Sequence, residues 1–144
     1  MKYFAVFLIL ALTACRPLPS IQPSPNLSPV EVVDIELKAL QSPDVPRPNA
    51  GIWTVFQFAS PGNRQVTGPY GRFIGMIKSV PNTPLLHSRS WRFGLLRQEG
   101  TRAQVPVDVT GSKGSISSWT FTLSRQSTET CQKCWLTDGV ERTR

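Results

Sequence analysis

The sequence predicts an α+β domain in which three N-terminal helices pack on a curved, mainly antiparallel four-stranded sheet. Three observations predict it. Apolar residues recur at helical spacing from Val30 to Ile77; from Trp91 onward they alternate; and Gly- and Pro-bearing turn signals separate the alternating runs.

The first helix begins at Ser28-Pro29-Val30-Glu31, a capping-box pattern with proline at the first helical position. Val30, Val33, Leu37 and Leu40 give it an apolar face, and it stops near Gln41 because Pro43, Pro46 and Pro48 cannot continue a helix. Asn49 is expected to cap a second, short helix running through Ala59, with Ile52, Val55, Phe56 and Ala59 along one side. SPGNRQVTGP reads as a breaker, and at Pro69 a third helix starts that carries Phe73, Ile74, Met76 and Ile77.

After PNTP the period becomes two. Trp91, Phe93 and Leu95 are expected to face one way and Arg92, Gly94 and Leu96 the other, up to a turn at Glu99-Gly100. Ala103, Val105, Val107 and Val109 form the inner face of the next strand, where Pro106 lacks a donor and should meet an edge or a bulge. GSKG turns the chain into Ser117, Trp119, Phe121 and Leu123, and Trp135 to Val140 make the last of four strands.

The chain opens MKYFAVFLILALTAC, with Lys2 ahead of an apolar run too short to span a bilayer as a permanent helix and small residues at its end. That is the pattern of a secretory signal over residues 1–14. Leu12, Thr13, Ala14 and Cys15 resemble the bacterial lipobox, which implies that Cys15 is acylated and becomes the mature N-terminus. Residues 15–28 then form a proline-rich spacer, extended and unable to build a core, and residues 29–144 form the domain. The expected address is extracytoplasmic, on the periplasmic face of a bacterial membrane or in a thylakoid lumen, with membrane lipid as the first partner.

The formal net charge is +7, of which Lys2 leaves with the signal. Arg64, Arg72, Lys78, Arg89, Arg92, Arg97 and Arg102 are dispersed rather than blocked, which ordinarily only solubilises, although anionic headgroups or an acidic partner would also suit them. Nucleic acid is not expected for an exported protein.

The helix VVDIELKAL followed by PDVPRPNAGIWTVFQFASP, the segment GPYGRFIGMIKSVPNTPLLHS, and WTFTLSRQ leading into CWLTDGV resemble an uncharacterised family of bacterial, cyanobacterial and plastid domains. That family is similar to the nuclear-transport-factor-like, or SnoaL-like, superfamily. The resemblance covers about Pro29 to Val140 and implies a cystatin-like cone, a bent sheet around helices with an interior pocket; it is compatible with a cyanobacterial origin. It implies no activity, since one such fold hosts isomerases, dehydratases, ligand binders and interaction modules. Superfamily members pair through the outer face of the sheet, so a homodimer is one expected arrangement; Arg92 and Arg102 neither favour nor oppose it.

An enzyme of that fold needs an acid or base inside the cone. His87, the one histidine, and Asp138 are the weak candidates, with Asp108 behind them; a lone histidine is more often a structural hydrogen-bonder, and Asp138-Gly139 is a turn or bulge signal. Trp91, Trp119 and Trp135 fall on three strands and can line an apolar ligand site, though core packing is the commoner use. No phosphate loop, serine elbow or metal-ligand cluster is present in the sequence, and no cofactor is expected.

Cys131 and Cys134 form C-x-x-C between two strands. A zinc site would need two further ligands, and with Cys15 acylated only His87 remains. No helix follows the pair, unlike a thioredoxin-type centre. In an oxidising compartment a structural disulfide is the leading reading, with a labile redox switch and free thiols as alternatives. The functional expectation is a tethered module that binds a protein partner or a small apolar ligand without catalysis; the alternatives are a SnoaL-type isomerase, dehydratase or hydrolase, and a redox-responsive module through Cys131 and Cys134.

Overall fold

Ser28 starts the first helix as its sequence requires. In the computed structural model, which describes residues 21–127 and 131–144, the Glu31 amide donates to Ser28 Oγ at 3.3 Å and the Ser28 amide to Glu31 Oε2 at 2.8 Å. This reciprocal cap opens α1, Pro29–Gln41. The expected signal peptide, Cys15 and the first part of the spacer lie outside the described residues.

Three further α-helices follow: α2, Ala50–Phe58; α3, Pro61–Thr67; and α4, Tyr70–Ile77. A 3-10 turn, Val80–Leu85, leads into the sheet. Helix α3 falls where a breaker was expected. Ser60 caps it by accepting from the Asn63 amide at 3.2 Å, Pro61 opens it as Pro29 opens α1, and Gly68 ends it at φ 81. It buries none of its residues, so no apolar period marked it in the sequence.

Asn49 caps α2 by position and not through its side chain. It sits in the left-handed region at φ 61, which asparagine tolerates, and its amide donates to Asp44 Oδ1 at 2.8 Å. Gly51 then crosses α1 closely: a Cβ there would stand 2.8 Å from both the Ala39 carbonyl carbon and the Pro43 Cα.

The sheet has five strands: β1, Ser90–Phe93; β2, Arg97–Glu99; β3, Arg102–Thr110; β4, Ile116–Arg125; and β5, Trp135–Arg142. Strands β3, β4 and β5 form an antiparallel meander, and β1 and β2 both pair with β3. The expected single first strand is therefore two. Pro106 causes the break. Its carbonyl accepts from the Gly94 amide at 2.8 Å, so the side of Pro106 that lacks an N–H faces the first strand, whose ladder cannot continue past it. Leu95, expected to face inward with Trp91 and Phe93, is instead 82% exposed in the gap.

A register shift between Thr122 and Leu123 leaves Asp138 as the extra residue on β5, the bulge that Asp-Gly signalled. The inner faces of β3 and β4, Val105, Val107, Val109, Trp119, Phe121 and Leu123, meet Val32, Val33, Leu37 and Leu40 of α1 and Ile52 and Phe58 of α2. Among the described residues every buried core residue lies between Val32 and Leu136, so a chain from Ile21 to Arg144 retains that core. Among the described residues no helix is long and apolar enough to cross a membrane.

Candidate functional site

Helix α2 is AGIWTVFQF, and its buried stripe is Ile52, Val55 and Phe58. Trp53 and Gln57 therefore project from its flank, and Phe56, half-buried, packs against the edge of the core. Trp53 is 40% exposed, an unusual position for the largest apolar side chain. Its ring meets Tyr70, at the start of α4, edge-on with centroids 5.0 Å apart, and Phe56 at 5.8 Å. Phe56 in turn contacts Tyr70 at 5.3 Å and Phe73 at 5.2 Å. The tilted and edge-to-face arrangement is the favourable one for aromatic quadrupoles. Tyr70 is fixed by donating its hydroxyl to the Asn49 carbonyl at 3.0 Å.

Helix α3 brings Arg64 over this cluster. Its guanidinium lies 4.8 Å from the Phe56 ring centroid, while Nε donates to the Phe56 carbonyl at 3.1 Å and Nη2 to the Gln57 carbonyl at 2.9 Å. Those two carbonyls belong to the last turn of α2, where a cation complements the helix dipole. Partial burial lowers the Arg64 pKa, from a value so high that the group keeps its charge. Two bonds to α2 leave further N–H donors on the fork.

Together these side chains wall a cleft of about 480 Å³. Trp53, Phe56, Gln57 and Ala59 come from α2 and its end, Pro61 and Arg64 from α3, Leu136 from β5, and Gln22 and Pro23 from the segment preceding α1; Cys131 completes the wall. Among the described residues Arg64 is the one charged residue in that lining. Among the described residues the cleft is thus apolar on most sides, with one cation at its edge.

Cys131 and Cys134 stand at disulfide distance, with Cα atoms 5.6 Å apart. Cys134 is buried, and Cys131 Sγ lies 3.7 Å from the Pro23 carbonyl oxygen. The pair closes a turn in which the Gln126 amide donates to the Cys134 carbonyl and the Lys133 amide to the Gln126 carbonyl, both at 2.8 Å. It clips the entrance to β5 and shapes one wall of the cleft.

Between α1 and β5 lies a carboxyl that no sequence pattern singled out. Glu36, on the core face of α1, is 1% exposed, and burial pushes its pKa up to about 8, against the opposing effect of a hydrogen bond from Thr137. The Thr137 hydroxyl donates to Glu36 Oε2 at 2.9 Å. The Thr137 carbonyl accepts from the Ser60 amide at 2.9 Å and from Asn63 Nδ2 at 3.0 Å, so one residue of β5 ties together α1 and the α2–α3 junction. At 1% exposure Glu36 joins α1 to β5 from within the core.

The expected site residues are not brought together. His87 is exposed at φ 54, held by its amide donating to the Leu40 carbonyl at 3.0 Å. Asp138 accepts from Ser124 Oγ at 2.9 Å on the bulge, and Asp108 from Ser118 Oγ at 2.6 Å on the outer face of the sheet. Trp119 and Trp135 are buried in the core, and Trp119 Nε1 donates to Ser117 Oγ at 2.8 Å. Trp91 is half-buried and donates to Asp34 Oδ1 at 3.0 Å. The indole N–H groups of Trp91 and Trp119 thus find acceptors within the protein. Trp53 and Arg64 carry the site, and the signal for Trp53 was present: a tryptophan off the apolar stripe of its own helix.

Among the described residues no group of three or more histidine, cysteine or acidic side chains can hold a metal ion. No family model, no curated protein and no solved structure matches the chain.

Proposed function

We propose that this protein is a membrane-tethered, extracytoplasmic lipoprotein whose domain binds a small, mainly apolar ligand in the cleft beside Trp53, without catalysing a reaction on it. The observation that carries the reading is Trp53 itself: a tryptophan 40% exposed, held by Tyr70 and Phe56, in the wall of a 480 Å³ cleft. Holding a large apolar ring partly in water is unfavourable, and a ligand that covers it recovers that loss.

The helix–sheet interface favours the same reading. Catalysis inside a cone of the expected kind needs an open interior, whereas Phe58, Trp119, Phe121, Leu123 and the valines of β3 fill the space between helices and sheet. Among the described residues the one buried carboxyl, Glu36, is 1% exposed. Tethering through Cys15 and the SnoaL-like ancestry rest on the sequence resemblances and are part of the proposal.

Titration of the domain Ile21–Arg144 with N-phenyl-1-naphthylamine, a neutral apolar dye, tests it. Saturable fluorescence enhancement is expected, weakened at least about tenfold in Trp53→Ala, the scale of a lost aromatic contact. Absence of saturable binding, or equal binding by Trp53→Ala, contradicts the proposal.

A further inference from the structure

The cleft has two features that a general apolar site does not need. One is a cation in its wall, Arg64, whose position is fixed by two hydrogen bonds to α2 and by the Phe56 ring. The other is the segment that enters it. Gln22 and Pro23 line the cleft, and Gln57 Nε2 donates to Gln22 Oε1 at 3.1 Å.

Gln22 is seven residues from Cys15. A fully extended chain of that length spans at most about 25 Å, less than the thickness of a bilayer's hydrocarbon core. If Cys15 carries the anchor, the cleft is held within that distance of the leaflet, whatever path the spacer takes.

From these observations we infer that the ligand is a single-chain amphiphile with an anionic head, a fatty acid or a lysophospholipid, taken from the leaflet on which the protein stands. The chain lies along Trp53, Phe56, Pro61 and Leu136, and the head meets Arg64 through the N–H groups left over from its bonds to α2. Among the described residues no carboxylate lines the cleft beside Arg64. Delivery from the adjacent leaflet spares a poorly soluble ligand any passage through water. The inference rests on the binding role proposed above and adds the head charge and the source.

The test uses the full-length acylated protein in phosphatidylcholine vesicles, with mid-chain-brominated stearic acid and the brominated alcohol of equal length as quenchers. The difference between wild type and Trp53→Phe isolates the Trp53 emission. Expected is quenching of that emission by the acid at about tenfold lower concentration than by the alcohol. Arg64→Gln should abolish the preference and Arg64→Lys restore part of it. Thermal unfolding of both variants checks that the end of α2 stays folded.

Equal quenching by acid and alcohol in wild type overturns the head-group assignment and leaves the cleft as an apolar site. No quenching of Trp53 by either overturns the binding role itself. A preference seen when the soluble domain Ile21–Arg144 takes the probes from water, but not when the full chain takes them from vesicles, overturns the leaflet as the source.

Discussion

The hydroxyl of Thr137 donates to Glu36 Oε2 at 2.9 Å inside the interface between α1 and β5. A charged carboxylate there would have left water for one hydrogen bond, and burial outweighs that bond, raising its pKa to about 8. Glu36 is therefore protonated in the folded protein at neutral pH, while in the unfolded chain it ionises near the ordinary value of about 4.3.

The sign of the resulting pH dependence follows from linkage. Between these two values the folded state holds a proton that the unfolded state releases, so stability falls as pH rises, by up to about 1.4 kcal/mol per unit, and levels off above pH 8. Glu36→Gln keeps an acceptor for Thr137 and removes the titration. Denaturant unfolding should show the wild type losing stability from pH 5 to pH 8 and the variant flatter over that range and more stable at pH 8. Parallel curves for the two proteins would show that Glu36 does not titrate as described.

Gly51 sets the distance between α1 and α2. A methyl group at that position runs into the Ala39 carbonyl and the Pro43 backbone, neither of which is the end of a flexible side chain. Gly51→Ala should cost about 3 kcal/mol, although alanine is the better helix former by about 1 kcal/mol at an open site. Gly75 in α4 supplies the control, because a Cβ there meets nothing within 4 Å, so Gly75→Ala should be neutral or stabilising. Thermal midpoints of the two variants check the contrast.

How much of this was legible beforehand depended on whether a residue's period matched its burial. Helix α1 was readable from Ser28-Pro29-Val30-Glu31 and four apolar positions because cap and stripe agree. Strands β3 and β4 were readable because buried and outward residues alternate along them. Helix α3 was hidden, since a seven-residue helix with no buried face leaves no pattern. The split into β1 and β2 was half visible: Pro106 announced a missing donor, but only the fold shows that the gap falls opposite Gly94.

The site was less legible than the fold. Trp91, Trp119 and Trp135 drew attention by alternating on strands, yet alternation is what places a side chain in a core. Glu36 falls at helical spacing from Val33 and Leu40, on the buried stripe, and its charge disguised it. Arg64 comes to Phe56 only through the turn between α2 and α3, a relationship that spacing within one element does not contain.

Cys131 and Cys134 hold the start of β5 and one wall of the cleft, so reducing the pair should act on both. Closing so short a loop contributes about 2 kcal/mol by the chain-entropy estimate. Replacing both cysteines with serine should lower stability by that order, read from denaturant midpoints, and should weaken dye binding in the cleft. An unchanged midpoint would mean that backbone bonds from Gln126 and Lys133 suffice to hold the turn.

The central claim is that ligand meets Trp53 and not the tryptophans of the sheet. Proton–nitrogen NMR of the uniformly labelled domain resolves indole N–H groups individually, assigned by single Trp→Phe variants. Titrating with a short-chain fatty acid below its micelle concentration should move the Trp53 indole signal progressively to saturation and leave those of Trp119 and Trp135 in place. Shifts at Trp119 or Trp135 with Trp53 unmoved would place the ligand in the sheet interior and contradict the account.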